Sequence, residues 1–368
     1  MHVMIAGAGA IALGYAAYLT QRGHRAKVWS PSGARTADFA TGVPLHVEGA
    51  IDGEFQLEVC ENAADVGNAD IIILALPAYG HRFVLDRIIP YVRANHSVII
   101  SAHLSFAVLY LSRRLAERGI SIPIAAWSTT VLTCKTQSST AITVGAIRAA
   151  VDMAALPNRH SLRIHEICVS LFGDRFTMKD DMLTLSLSNI NPQDHMGIAL
   201  ANLTRIEKGE NWGQNSNLTP AVGRLLEALD EERLTIAAAF GKTVRTTFDH
   251  CRLSFGVDGN SLSAISDRLA QQGRDPRGPS ALATRYVLED VPFGLVPTLR
   301  LAEMAGVNAP LHASGVAILS ACYGRDFVAD NDILPEIGPL QIETLQRLAV
   351  DGYAVSTETR TASRPIHV

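Results

Sequence analysis

Asn191-Pro192-Gln193-Asp194-His195 sets an asparagine four residues before a histidine. On a helix that spacing brings both onto one face, and a histidine titrates where proton transfer is useful. The plain alternative is a histidine satisfied near a helix start. Asn191 followed by Pro192 can cap and open such a helix, or kink one already begun at Leu183. A second cluster runs Arg285-Tyr286-Val287-Leu288-Glu289-Asp290-Val291-Pro292-Phe293-Gly294. Adjacent acids ahead of a proline and a glycine read as a turn that holds carboxylates at a surface or cleft. Arg285 offers a fork that binds a carboxylate through two parallel hydrogen bonds. A solvated ion-pair turn would have the same sequence.

The third cluster, Gly7-Ala8-Gly9-Ala10-Ile11-Ala12, matches G-x-G-x-x-A between a strand-like run, residues 2–6, and a helix-like one, residues 10–22. In that context Gly7 and Gly9 permit a tight turn and close approach of a pyrophosphate, Ala12 fills the third position, and the phosphate charge sits on the helix N-terminus. A dinucleotide site is expected. An NAD site usually places Asp or Glu at the end of the second strand; here Trp29 is followed by Ser30, and no carboxylate occurs before Asp38. Ser30 and Arg35 can instead bind a 2′-phosphate, so NADP is expected over NAD. Pro77-Ala78-Tyr79-Gly80-His81 follows another apolar run, and loops in that position line the nucleotide crevice. Pro77 is therefore a candidate cofactor contact; His81 reads as a contact or as a surface histidine at a helix start.

The elements that must position these residues change character along the chain. Continuous apolar runs at residues 2–6, 25–29, 71–76, 97–101 and 122–126 have strand length, with helical stretches at 81–93 and 106–118 between them. Apolarity without alternation suits strands buried on both faces of a helix-covered parallel sheet. Residues 141–147 and 172–180 could add strands near the domain's end. From Leu183 the pattern is helical: Thr219-Pro220 is a capping residue with proline at the first helical position, and further helices fit 260–272, 296–305 and 311–323. The expected architecture is an α/β Rossmann-type dinucleotide-binding domain, residues 1–182, followed by an all-helical domain, residues 183–368. The tail from Ala354, rich in Ser, Thr and Arg, reads as frayed.

Composition narrows the classes. The net charge is −4, from 36 acids and 32 bases, which argues against a nucleic-acid partner. Only five of the bases are lysines, Lys27, Lys135, Lys179, Lys208 and Lys242, so a lysine-based mechanism has few candidates. The five cysteines lie far apart with no metal-ligand spacing, which suits reduced thiols in the cytoplasm. No apolar run reaches the roughly 18 residues of a membrane span.

Taken together, the glycine turn, Trp127 to Cys134, Asn189 to His195, Thr219 to Gly223 and Thr284 to Pro297 resemble the octopine and nopaline dehydrogenases, the opine dehydrogenase family. The resemblance implies a two-domain enzyme in which NAD(P)H reduces the imine formed from an amino acid and a 2-oxo acid. By matched position it makes His195 the proton-transfer residue, Asp290 its partner, Arg285 a carboxylate ligand and Asn191 a substrate-positioning residue. In place of the glycine-rich loop that relatives often carry after a Rossmann strand, this chain has Ser101-Ala102-His103-Leu104-Ser105-Phe106. The competing readings are a carbonyl reductase of the ketopantoate reductase or hydroxyacid dehydrogenase type, which generally needs a lysine at the reacting centre, and a nucleotide sensor without turnover. A homodimer through the helical domain is the default assembly.

Overall fold

The computed structural model describes residues 1–102 and 106–355. His103, Leu104 and Ser105 of the loop singled out above, and the tail from Ser356 onward, lie outside the described residues.

Twelve strands form two sheets among these residues. The larger has the order β12 (Phe176–Met178), β11 (Val151–Leu156), β8 (Ile124–Trp127), β7 (Ser97–Ile100), β6 (Ile71–Leu74), β1 (His2–Ala6), β2 (Arg25–Trp29) and β5 (Glu58–Val59). It is parallel from β5 to β8 and antiparallel between β8 and β11. Neighbouring residues of a strand enter opposite cores: Ile71 and Ile73 pack on one side, Ile72 and Leu74 on the other. Burial on both faces is why the runs read as continuous rather than alternating.

Two expectations from sequence are met in part and one needs correction. Residues 141–147 do form a strand, but in a separate four-stranded sheet of β4 (Gly53–Phe55), β3 (Leu45–Gly49), β10 (Ala141–Ile147) and β9 (Leu132–Thr136). This sheet covers the helix Ala10–Gln21 on the side away from the main sheet. Its strands carry polar outer faces, and β4 has only three residues, so they gave little periodic signal. Only Phe176 to Met178 of the 172–180 stretch is strand, because Phe172 ends the helix Ser161–Phe172. The Arg285 to Gly294 segment is not a turn but a helical stretch, Arg285–Leu288, running into one π-helical turn, Val291–Leu295.

After Met178 every described element is helical. A separate core gathers around the long helix Pro220–Ala239 and includes Met196, Leu226, Leu229, Val291 and Leu319. The chain nevertheless returns: Leu345 and Leu348 of the last described helix, Ile342–Asp351, share a core with Ile124 and Leu156 of the main sheet. No described helix is long and apolar enough to cross a membrane.

Candidate active site

The helix Asn191–Ala201 begins where Asn189 accepts the backbone N–H of Asn191 through its side-chain oxygen, at 3.1 Å. Asn189, rather than Asn191, therefore serves the exposed first-turn N–H, and Pro192 sits where its missing N–H costs nothing. His195 and Asn191 then project one turn apart onto the same cavity wall.

Asp290 arrives from 95 positions further along the chain. Thr284 caps the short helix Arg285–Leu288 by accepting the N–H of Tyr286. Proline at position 292 cannot donate a helical hydrogen bond, and the next turn widens until the Val296 N–H reaches back to the Val291 carbonyl. Gly294 lies in this widened turn, where a Cβ would stand 2.4 Å from Pro192 Cγ. Only a bare Cα lets the turn close on the start of the His195 helix. The consequence is a 2.6 Å hydrogen bond between His195 Nδ1 and Asp290 Oδ2, with the Asp290 side chain 1% exposed and that of His195 15%.

The imidazole is clamped from its face as well. Tyr286 stacks on it with ring centroids 3.6 Å apart and planes 9° apart, and the Tyr286 hydroxyl donates to Gln214 Oε1 at 2.6 Å. Orientation by Asp290 and stacking by Tyr286 fix the ring, and with Nδ1 engaged, Nε2 is the nitrogen left for a substrate. The ring borders a cavity of about 550 Å³ whose polar wall includes Asn191, Asp194, Gln214, Thr247 and His250. Burial and the neighbouring Asp230 charge raise the Asp194 carboxyl to about 7, against a smaller opposing pull from Arg233. Burial keeps His250 below the usual histidine range.

Arg285 stands outside that cavity wall. Its side chain is 60% exposed, and its Nε lies 3.4 Å from Glu289 Oε2. Glu289 links the two halves of the molecule, because its other carboxylate oxygen accepts the Ala78 N–H at 3.0 Å, in the loop that begins with Pro77. Burial raises the Glu289 carboxyl despite the nearby Arg285 cation. Arg148, from the loop after β10, is held below the usual arginine range chiefly by burial and in part by the positive charge of Arg285. Two guanidiniums, one from each half, thus lie near enough to feel each other's charge.

The glycine turn belongs to the first half, where it packs on the end of the strand Ile71–Leu74. Gly7 has φ +141°, and a Cβ there would meet the Ala75 carbonyl oxygen at 2.3 Å and the Ala12 Cβ at 3.3 Å. Its N–H donates to the Trp29 carbonyl at 2.8 Å, which brings Ser30 beside the turn. Gly9 precedes the helix Ala10–Gln21 with no side-chain cap, so the first-turn N–H groups are open to a phosphate. Arg35 Nη1 lies 3.9 Å from where a Gly9 Cβ would be. This cradle fits a dinucleotide. His81, by contrast, is neither a ligand nor a surface residue: it is fully buried, its Nε2 sits 3.1 Å from the Leu76 carbonyl, and burial lowers it to about 4.

Sequence reasoning passed over Tyr286, Glu289 and Asp194 as individuals although all three lay inside the quoted segments. Gln214 and Arg148 carried no signal, because their partners are distant in the chain. Among the described residues no cluster suited to a metal ion occurs.

Residues 178–323 match the family model described as NAD/NADP octopine/nopaline dehydrogenase, alpha-helical domain, and residues 3–103 match that of ketopantoate reductase PanE/ApbA. An opine dehydrogenase of Arthrobacter sp. (strain 1C) is 28% identical over 330 residues, spanning 88% of this chain and 91% of that protein. An octopine dehydrogenase solved with NADH and L-arginine superposes with a TM-score of 0.81 at 16% identity, over 95% of this chain and 98% of that one. A yersinopine dehydrogenase solved with NADP+ gives a TM-score of 0.70 at 14% identity, over 95% and 98%. At those identities the structural likeness establishes the shared fold.

Proposed function

We propose that this chain is an opine dehydrogenase, joining the amino group of an amino acid to a 2-oxo acid and reducing the resulting imine with NAD(P)H, as its similarity to that family supports. The observation that carries this reading is the buried Asp290 carboxylate locked onto His195 at the edge of a cavity.

In this reading His195 Nε2 takes a proton from the ammonium group of the amino acid, freeing the nitrogen lone pair to attack the carbonyl carbon of the 2-oxo acid. The carbonyl oxygen leaves as water once protonated, and His195 returns the proton for that departure. Asp290 holds the ring in one tautomer and favours its charged form between those steps. When bound, NAD(P)H supplies the hydride that reduces the imine carbon. The product is a secondary-amine dicarboxylate. Arg285 binds a substrate carboxylate and Asn191 positions the substrate at the cavity mouth. Closing the two halves, which the Glu289 contact to Ala78 favours, excludes water that would hydrolyse the imine.

Gly7, Gly9, Ala12 and Pro77 shape the cofactor cradle, and Ser30 and Arg35 give NADP the advantage over NAD. The placement of Arg35 over Gly9 supports that preference. We take residues 1–182 as the cofactor-binding unit and 183–368 as the catalytic one. The five free cysteines support a cytoplasmic location, and light scattering would test for the homodimer.

The decisive assay offers NADPH with a panel of 2-oxo acids and amino acids, separately and together, with a mass spectrum of the product. NADPH consumption that requires both components is expected. Consumption with the 2-oxo acid alone would replace this reading with carbonyl reduction. The lysines weigh against that rival: Lys179 pairs with Asp152, Lys242 with Asp181 and Lys27 with Glu58, and none lines the His195 cavity.

A further inference from the structure

The larger sheet sets β5, β2, β1, β6, β7 and β8 side by side, the 3-2-1-4-5-6 order of a dinucleotide-binding fold. Such a fold takes its two nucleotides over the carboxyl ends of the strands, one on each side of the point where the order reverses, here between β1 and β6. The glycine turn, with Ser30 and Arg35 beside it, lies at the ends of β1 and β2. The nicotinamide end therefore falls to the segments that leave β6, β7 and β8.

The segments leaving β7 and β8 are fastened by one side chain. Tyr15 belongs to the helix Ala10–Gln21, which opens at the glycine turn, and it is completely buried. Its hydroxyl shares a hydrogen bond of 2.7 Å with Ser101 Oγ, in the first residue beyond β7. The same oxygen accepts the Val131 N–H at 3.0 Å, in the segment that follows β8. Trp127 and Phe172 pack edge-on against the ring, with centroids 6.2 and 5.2 Å away, and hold it in place. Burial raises the hydroxyl well above the usual tyrosine range, so it serves as a neutral hydrogen-bonding group.

The choice of partners separates Tyr15 from a tyrosine merely satisfied in a core. Tyr18, on the same helix, donates to the carbonyl of Phe172, the last residue of a neighbouring helix. Tyr15 instead joins two segments that leave adjacent parallel strands at one edge of the sheet. Ala102, directly after Ser101, is held at φ +62°, where a residue with a Cβ rarely goes unless its surroundings impose it. Backbone positions of that kind gather at ligand-binding sites.

We propose that Tyr15 is a positioning residue for the nicotinamide half of the cofactor, acting through Ser101 and Val131 to set the loops against which that half binds. The inference rests on the dinucleotide reading of the glycine turn and holds whichever substrate is reduced.

The test is calorimetric titration of the full chain with NADPH and with 2′-phospho-ADP-ribose, which keeps the 2′-phosphate, the pyrophosphate and both riboses but has no nicotinamide. Tyr15→Phe preserves the ring and removes the hydroxyl. NADPH is expected to bind this variant roughly 3- to 30-fold more weakly, the reach of one or two neutral hydrogen bonds, with 2′-phospho-ADP-ribose within about twofold of wild type. Ser101→Ala should weaken NADPH in the same direction and again leave the fragment unmoved. A general loosening of the fold would weaken the two ligands together; that result, or unchanged NADPH binding in a folded Tyr15→Phe, overturns the proposal. If Tyr15→Phe fails to fold, Ser101→Ala decides by the same ratio. A wild-type chain that binds neither ligand overturns the dinucleotide reading as well. One that binds NADPH yet turns over no pair of 2-oxo acid and amino acid sinks the proposed reaction, and the titration still judges Tyr15.

Discussion

Replacing Asp290 by asparagine preserves the size of the side chain and removes its charge. In the wild-type protein the carboxylate is 1% exposed and 2.6 Å from His195 Nδ1, so no water can substitute for it. A hydrogen bond to a charged group contributes about 1.5–3 kcal/mol, and each ~1.4 kcal/mol is a factor of ten in rate. The loss in kcat/KM is therefore expected to be about 10- to 150-fold. It should be larger if the amide presents its NH2 to Nδ1 and forces the proton onto Nε2. The assay is NADPH absorbance over a range of 2-oxo acid and amino acid concentrations, with a melting curve to show that the variant is folded. A kcat/KM within threefold of wild type would refute the coupling of Asp290 to proton transfer.

Asp194 should leave a mark on stability. Its folded-state value of about 7 lies well above the ~3.9 of an unfolded chain, so the native protein holds an extra proton between those values and loses stability as pH rises from about 4 to 7. Three pH units at ~1.4 kcal/mol each set an upper bound of about 4 kcal/mol. Asp194→Asn should flatten the Tm profile over that window, and parallel profiles would contradict the burial argument. Arg35→Ala should raise the KM for NADPH roughly 10- to 100-fold, by loss of a charged contact to the 2′-phosphate, while changing that for NADH less than threefold. Equal changes for both cofactors would remove Arg35 from phosphate recognition. Gly294→Ala sets a methyl group against Pro192, and overpacking of that kind costs about 1–3 kcal/mol. A lowered denaturation midpoint with reduced kcat is expected; wild-type values for both would mean that the π-helical turn yields freely.

Much of the cofactor side was legible because its determinants are local. Gly7 to Ala12 join a strand to a helix within a dozen residues, and the strand register beside them follows from apolar runs buried on both faces. Ser30 was informative for the same reason, since its place at the end of β2 depends only on where that strand stops. The helix opening at Thr219-Pro220 also obeyed a one-turn rule.

The catalytic side was legible in its residue types and not in its arrangement. His195 and Asp290 were visible as a histidine and an acid, but the bond between them depends on how a π-helical turn closes on the first turn of a helix begun a hundred residues earlier. The turn itself was misread, because Pro292 and Gly294 are turn signals to any local rule and became helical only under packing against Pro192. The surroundings of Asp194 lie further still from the sequence, since Arg233 directs Nε, Nη1 and Nη2 to other acceptors. Short-range propensity and patterning determined most of the elements this chain forms and which side chains were available for chemistry. The tertiary structure alone decided which of those groups meet, which are satisfied and which are left facing a cavity, since desolvation and pairing are properties of neighbours in space.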